Sequence, residues 1–138
     1  MQAVTGGHHL ANGLARTIAY ARSHGKVVIF VRDVPDLAGE LREYCKLDEP
    51  ESLCSIPRVD VEKGKELESE LLDRMKERFP DLWVFDPLPL LCDDAACYLM
   101  KDGHLLYRDQ HHLSLDGSVR VGTALAELIR RASPESLH

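Results

Sequence analysis

Gly25-Lys26-Val27-Val28-Ile29-Phe30-Val31-Arg32-Asp33-Val34-Pro35 runs from a helix stop signal through an apolar strand to a proline break. The short, unbroken and largely β-branched run from Val27 to Val31 reads as a strand covered on both faces, as in a parallel sheet, and Pro35 ends it. Just upstream, Leu10, Leu14, Ile18 and Ala21 recur at helical spacing, with Gly25 as a stop signal. Downstream, residues 36–60 read as irregular and hold Cys45, Pro50, Cys54 and Pro57. A second helix follows, with Leu67, Leu71, Leu72, Met75 and Phe79 on one side and a charged, solvated face on the other. Pro80-Asp81 breaks it. Leu82-Trp83-Val84-Phe85 is a second buried strand, with Trp83 in the core, and Asp86-Pro87 ends it.

Residues 88–97 read as another loop. The apolar runs Tyr98–Met100 and His104–Tyr107 flank Lys101-Asp102-Gly103, and Asp-Gly between two such runs is a hairpin signal. The last helix begins near Ser114, which can cap it, while Asp116 in its first turn complements the dipole. Val121, Leu125, Leu128 and Ile129 form its buried stripe. Residues 1–9 and 133–138 are expected to be flexible. The order helix, strand, helix, strand, hairpin, helix implies an α/β sandwich with a parallel sheet. Two good central strands are few for an independent fold, which suggests further sequence upstream and an exposed sheet edge.

The chain has 138 residues, 44% of them apolar and 29% charged, so it reads as one ordinary globular domain or a large piece of one. A formal net charge of −6 argues against a nucleic-acid binder, which normally shows a basic face. No apolar run approaches the roughly 18 residues that span a bilayer, and the N-terminus lacks the pattern of a signal peptide. The four cysteines fall into two local pairs, Cys45 with Cys54 and Cys92 with Cys97. An even count in local pairs points to disulfides and an oxidising compartment; reduced cytosolic thiols are the alternative. Cysteines of an exported type on a chain without an export signal make a fragment of a longer polypeptide the simplest expectation.

Chemistry concentrates in Tyr107-Arg108-Asp109-Gln110-His111-His112-Leu113-Ser114, immediately before the last helix. A carboxylate three residues before an imidazole, in a turn, can accept its Nδ1–H and leave Nε2 free as a base. That is the orienter-and-base half of a Ser-His-Asp triad. Plain surface polarity is the alternative, and on composition alone His111 could be the working residue instead of His112. Cys92, Cys97, His104 and His111 could form a zinc site, though no compact second pair follows and a disulfide is the better reading. Asp86 and Arg32-Asp33 follow strand ends, where α/β ligands bind, but Asp86 is better read as a loop cap. Tyr107 is better read as packing on the sheet than as lining a site, and His8-His9 as incidental polarity.

Asp109-x-x-His112-Leu113-Ser114 followed by Gly117 resembles the last conserved block of the SGNH hydrolases. The similarity is closer to the SGNH domains fused behind the membrane-embedded acyltransferase-3 domain of bacterial O-antigen and surface-polysaccharide O-acetyltransferases. Leu91-Cys92, Cys97-Tyr98, Gly103 and Tyr107–Ser114 occur in that family's order, and Gly25–Val28, Val34-Pro35 and the Cys45 to Cys54 loop also resemble it. The resemblance covers roughly residues 10–132. It implies that residues 1–138 are the C-terminal part of a single SGNH-type domain, a partial, flavodoxin-like three-layer α/β sandwich with a mostly parallel sheet. It also implies that Asp109 orients His112, that His112 is the general base, that His111 merely precedes the base, and that Ser114 supports the helix. No cofactor or metal is implied. The implied partners are an upstream membrane acyltransferase domain of the same polypeptide, an acyl donor and a carbohydrate acceptor, at the periplasmic face of the inner membrane. Two departures stand out: the chain has no Gly-Asp-Ser nucleophile block and no Gly-x-Asn-Asp oxyanion block, Asn12 being its only Asn. The expectation is a nucleophile outside these residues and negligible activity in the chain alone. A deacylating SGNH esterase would use the same residues, and a disulfide-stapled glycan- or partner-binding module, or a cytosolic metal-binding domain, would use neither.

Overall fold

The computed structural model describes residues 2–46 and 48–133, with side chains from residue 7 onward. Its elements are α1 (Gln2–Ser23), β1 (Ile29–Val31), α2 (Leu41–Tyr44), a 3₁₀ turn (Glu51–Leu53), β2 (Ser55–Pro57), α3 (Arg58–Lys63), α4 (Glu66–Arg78), β3 (Trp83–Phe85), α5 (Leu88–Leu91), β4 (Ala96–Tyr98), β5 (Met100–Lys101), β6 (His104–Leu105) and α6 (Leu115–Ala132). Helix α1 stops at the glycine that marks its end in the sequence. Gly25 takes φ +69°, a left-handed value that costs glycine nothing. Lys26 N–H then reaches Ala21 O and Gly25 N–H reaches Arg22 O, both at 3.0 Å, the paired bonds of a Schellman cap.

Strands β1 and β3 pair in parallel, with Ile29 opposite Trp83 and Val31 opposite Phe85. The backbone N–H of Arg32 carries the ladder one step further, to Phe85 O at 2.9 Å. Side chains alternate across a strand, so Val28, Phe30 and Leu82 share one face. There they meet Ala11, Ala15 and Ile18 of α1 and Met75 of α4, joined by Leu14, Leu71 and Phe79. Helix α6 touches β3 and takes no part in that cluster, so it lies over the other face. Helices on both sides of a parallel pair make a layered α/β arrangement, the fold class read from the sequence.

A second core gathers around the cysteines. Strands β2 and β4 pair antiparallel, with Ile56 opposite Cys97, and Leu99 N–H bonds Cys54 O at 2.9 Å. Disulfides join Cys45 to Cys54 and Cys92 to Cys97. Leu37, Val61, Leu88, Leu91, Leu99, Leu106 and Tyr107 pack against them. The expected hairpin forms between β5 and β6, with Asp102 at φ 52° and Gly103 at φ 79°. Two positive φ values in a two-residue loop give the turn twist that matches the strands.

Several expectations change. Val27 and Val31 are about half exposed, and Trp83 is 39% exposed, so the two strands are not sheathed on both faces. The cause is the width of the sheet: among the described residues β1 pairs with β3 alone, and α6 leaves part of their shared face open. Leu10, Leu67 and Ile129 are exposed, so the buried stripes of α1, α4 and α6 are narrower than their apolar periodicity. Residues 36–60 and 88–97 are not irregular throughout, since they form α2, β2, α5 and part of α3 and β4. Of the terminal segments, residues 2–9 belong to α1 and Ser133 caps the end of α6, while Met1 and residues 134–138 lie outside the described residues.

Candidate active site

The loop from Tyr107 to Ser114 is closed at its neck. Tyr107 and Leu113 face each other in an antiparallel bridge, and Arg108 N–H bonds His112 O at 2.8 Å. Below the neck, Leu106 N–H reaches Leu99 O at 2.8 Å and Ser114 N–H reaches Leu106 O at 2.9 Å. Tyr107 is 1% exposed, inside the cysteine-centred core, and its hydroxyl has no hydrogen-bond partner among the described residues. Burial pushes its phenol far above the ordinary range, so it stays neutral and acts as a packing residue.

Above the neck, the Asp109 carboxylate organises the turn. Its Oδ1 accepts the backbone N–H of both His111 and His112 at 2.9 Å. Both carboxylate oxygens face His112 Nδ1, at 2.8 Å for Oδ1 and 3.0 Å for Oδ2. The His111 backbone N–H, and after it the His112 ring, hold the Asp109 carboxyl at a pKa of about 2, against an ordinary 3.8. An ionised carboxylate can only accept, so Nδ1 of His112 carries the proton and Nε2 is the free basic nitrogen. The pair is largely open to solvent, which leaves that nitrogen reachable.

Ser114 sits at the root of the loop as the N-cap of α6. Its Oγ accepts Gly117 N–H at 3.1 Å and donates to Leu105 O at 2.6 Å. Gly117 is where helix and loop come closest. A Cβ there would overlap the carbonyl oxygen of Leu106, so glycine is the only residue that fits without a backbone shift.

His111 is not idle. Its Nδ1 bonds the Oδ1 of Asp36, in the loop after β1, and Leu37 N–H bonds Gln110 O at 3.0 Å alongside. Nothing in the sequence marks Asp36, which lies 75 residues from His111. A cavity of about 540 Å³ opens on this side, between α2 and the Asp109–His112 loop. A second, of about 620 Å³, lies at the carboxyl end of β1 over Arg32, Lys65 and Glu68. There Arg32 donates to Ser69 Oγ at 2.8 Å and lies 3.6 Å from both Glu68 and Asp86. Asp86 also closes the turn into α5, its Oδ1 accepting Leu88 N–H at 3.0 Å. His8 packs against Arg74 of α4, at 3.1 Å.

The zinc reading fails on geometry. Cys92 and Cys97 are bonded to each other, and His104 and His111 face separate carboxylates, Asp116 and Asp36. Among the described residues no group of three or more His, Cys, Asp or Glu gathers to hold a metal, and no helix is long and apolar enough to cross a membrane.

One family model, described as SGNH domain (fused to AT3 domains), matches residues 2–127. No curated protein and no solved structure matches the chain. The family match takes in both disulfides, the parallel pair and the loop from Tyr107 to Ser114, and over that span the chain belongs to the SGNH domains that are fused to AT3 acyltransferase domains.

Proposed function

We propose that this chain supplies the histidine and aspartate of a Ser-His-Asp triad that moves an acyl group, most simply acetyl, onto a hydroxyl of bacterial surface polysaccharide. The observation that carries this reading is the bonding of both Asp109 oxygens to Nδ1 of His112, which leaves Nε2 free and exposed. In the proposed reaction, Nε2 takes the proton of a serine hydroxyl as that oxygen attacks the acyl carbonyl, then returns it to the leaving group. A sugar hydroxyl next gives its proton to Nε2 as its oxygen bonds the acyl carbon; the bond from that carbon to the serine oxygen then breaks and Nε2 returns the proton to serine. Asp109 stays ionised throughout and stabilises the imidazolium.

The serine comes from outside these 138 residues in this reading. No serine here follows Gly-Asp, and Ser114, the nearest in sequence to His112, is committed to Gly117 N–H and Leu105 O. The membrane acyltransferase domain of the same polypeptide would provide the acyl donor, and the periplasm suits the two disulfides. With water as acceptor the same residues would make an esterase.

The test is O-acetylation of the surface polysaccharide by the full-length polypeptide, read from acetyl signals in NMR spectra of the purified glycan. His112→Gln is expected to lower it by on the order of 10⁶ and Asp109→Asn by on the order of 10⁴. Acetylation that persists in His112→Gln would remove the catalytic reading and leave a binding module. Free acetate released at an unchanged rate without acetylated glycan would assign the esterase instead.

A further inference from the structure

His111 and His112 are neighbours in sequence, yet each bonds a different carboxylate through Nδ1: His112 uses Asp109 and His111 uses Asp36. Their rings stand nearly perpendicular, at 87°, with centroids 6.5 Å apart. The family match assigns nothing to His111 or Asp36. His111 also lines the 540 Å³ cavity, with Glu40, Leu41 and Arg42 on one side and Arg108, Asp109 and Gln110 on the other. Nδ1 is taken by Asp36, so Nε2 is the nitrogen left to accept a hydrogen bond there.

The charges around the cavity decide what kind of ligand suits it. Arg42 pairs with Glu40, and Arg108 Nε lies 3.7 Å from Asp109 Oδ2. The two guanidinium charges are thus offset by two carboxylates, which removes the net positive field an anion would need. Among the described residues, what remains is a mixture of donors and acceptors around Leu41, a lining suited to an uncharged polyhydroxyl compound. The cavity shares Asp109 with the His112 pair, so a ligand seated in it lies against the carboxylate that orients the base.

We propose that this cavity seats the sugar that accepts the acyl group, and that His111, oriented by Asp36, is a positioning residue that accepts a hydrogen bond from one of its hydroxyls. The proposal rests on the reading of His112 as the base of acyl transfer. Because the Asp36–His111 pair is exposed, it contributes little to stability, and its effect is to fix the direction of the ring.

The experiment is a titration of the ¹⁵N-labelled chain with the methyl glycosides of glucose, galactose, mannose and rhamnose, followed by amide shifts. At least one glycoside is expected to give saturable shifts at Leu41, Arg42, Gln110 and His111. His111→Leu is expected to weaken that binding by up to about tenfold, the worth of one hydrogen bond, and His111→Gln, which keeps an acceptor, to restore most of it. Leu67→Ser, in the other cavity, is expected to leave it unchanged. Absence of saturable shifts with all four glycosides, shifts centred on Arg32 and Lys65, or equal binding by His111→Leu would each overturn the proposal. Binding needs no acyl chemistry, so these failures are separate from a failure of the His112→Gln acetylation test. Glycoside binding with acetylation indifferent to His112 would overturn the acceptor role as well.

Discussion

Asp109 shows how one side chain can close a turn and orient a neighbouring ring together. Its carboxylate closes the turn by taking two backbone N–H groups and orients His112 through both oxygens. The spacing Asp-x-x-His made this contact legible in the sequence, since three residues in a turn bring the groups within reach. The Asp36–His111 contact was not legible, because it depends on where the loop after β1 meets the loop before α6. The titration of Asp109 follows from its partners. Its folded pKa of about 2 lies below the ordinary 3.8, so its contribution to stability is complete above the ordinary value and is lost as pH falls through the folded one. Carboxyl ¹³C shifts of Asp109 are therefore expected to titrate with a midpoint near 2, and a midpoint near 4 would mean that the turn bonds do not persist in solution.

At the scale of elements, α6 and the hairpin deliver the loop. Helix α6 was readable from its cap, its acidic first turn and its apolar stripe, and the structure starts it after Ser114. The β5–β6 hairpin was readable from Asp-Gly, whose backbone takes the two positive φ values the turn requires. Strand β2 was hidden, because Ser-Ile-Pro shows no alternation and becomes a strand only by pairing with β4. Helix and hairpin meet at Gly117, against the backbone of Leu106. Gly117→Ala is expected to destabilise the chain by about 1–3 kcal/mol through overpacking and to move the loop, since Ser114 N–H and Leu106 O are bonded at that point. Urea unfolding gives the first quantity and amide shifts of residues 108–114 the second. An unchanged midpoint would mean that α6 can slide without cost.

Across the whole molecule two small cores take the place of one large one. The first is the α1–α4 layer on the parallel pair, and the second is the cluster around the disulfides that holds Leu99, Leu106 and Tyr107 beneath the loop. The disulfides close short loops, for which the chain-entropy description gives roughly 2–3 kcal/mol each. Cys45→Ser/Cys54→Ser and Cys92→Ser/Cys97→Ser are each expected to lower the urea midpoint by a matching amount, and the Cys92/Cys97 pair to disturb the amide shifts of residues 106–113 as well. Equal stability with and without reductant would show that the cysteines do not hold this core. The α/β order, both cysteine pairs, the hairpin, the cap of α6 and the Asp109–His112 pair are all written in local sequence. Each of these rests on contacts between residues close in the chain, where periodicity, turn chemistry and spacing act directly. Only the tertiary structure decided which apolar residues are covered, that residues 36–60 contribute β2 to the second core, and that Asp36 meets His111 beside a cavity. Those depend on segments far apart in sequence arriving at the same place, and no local pattern encodes that meeting.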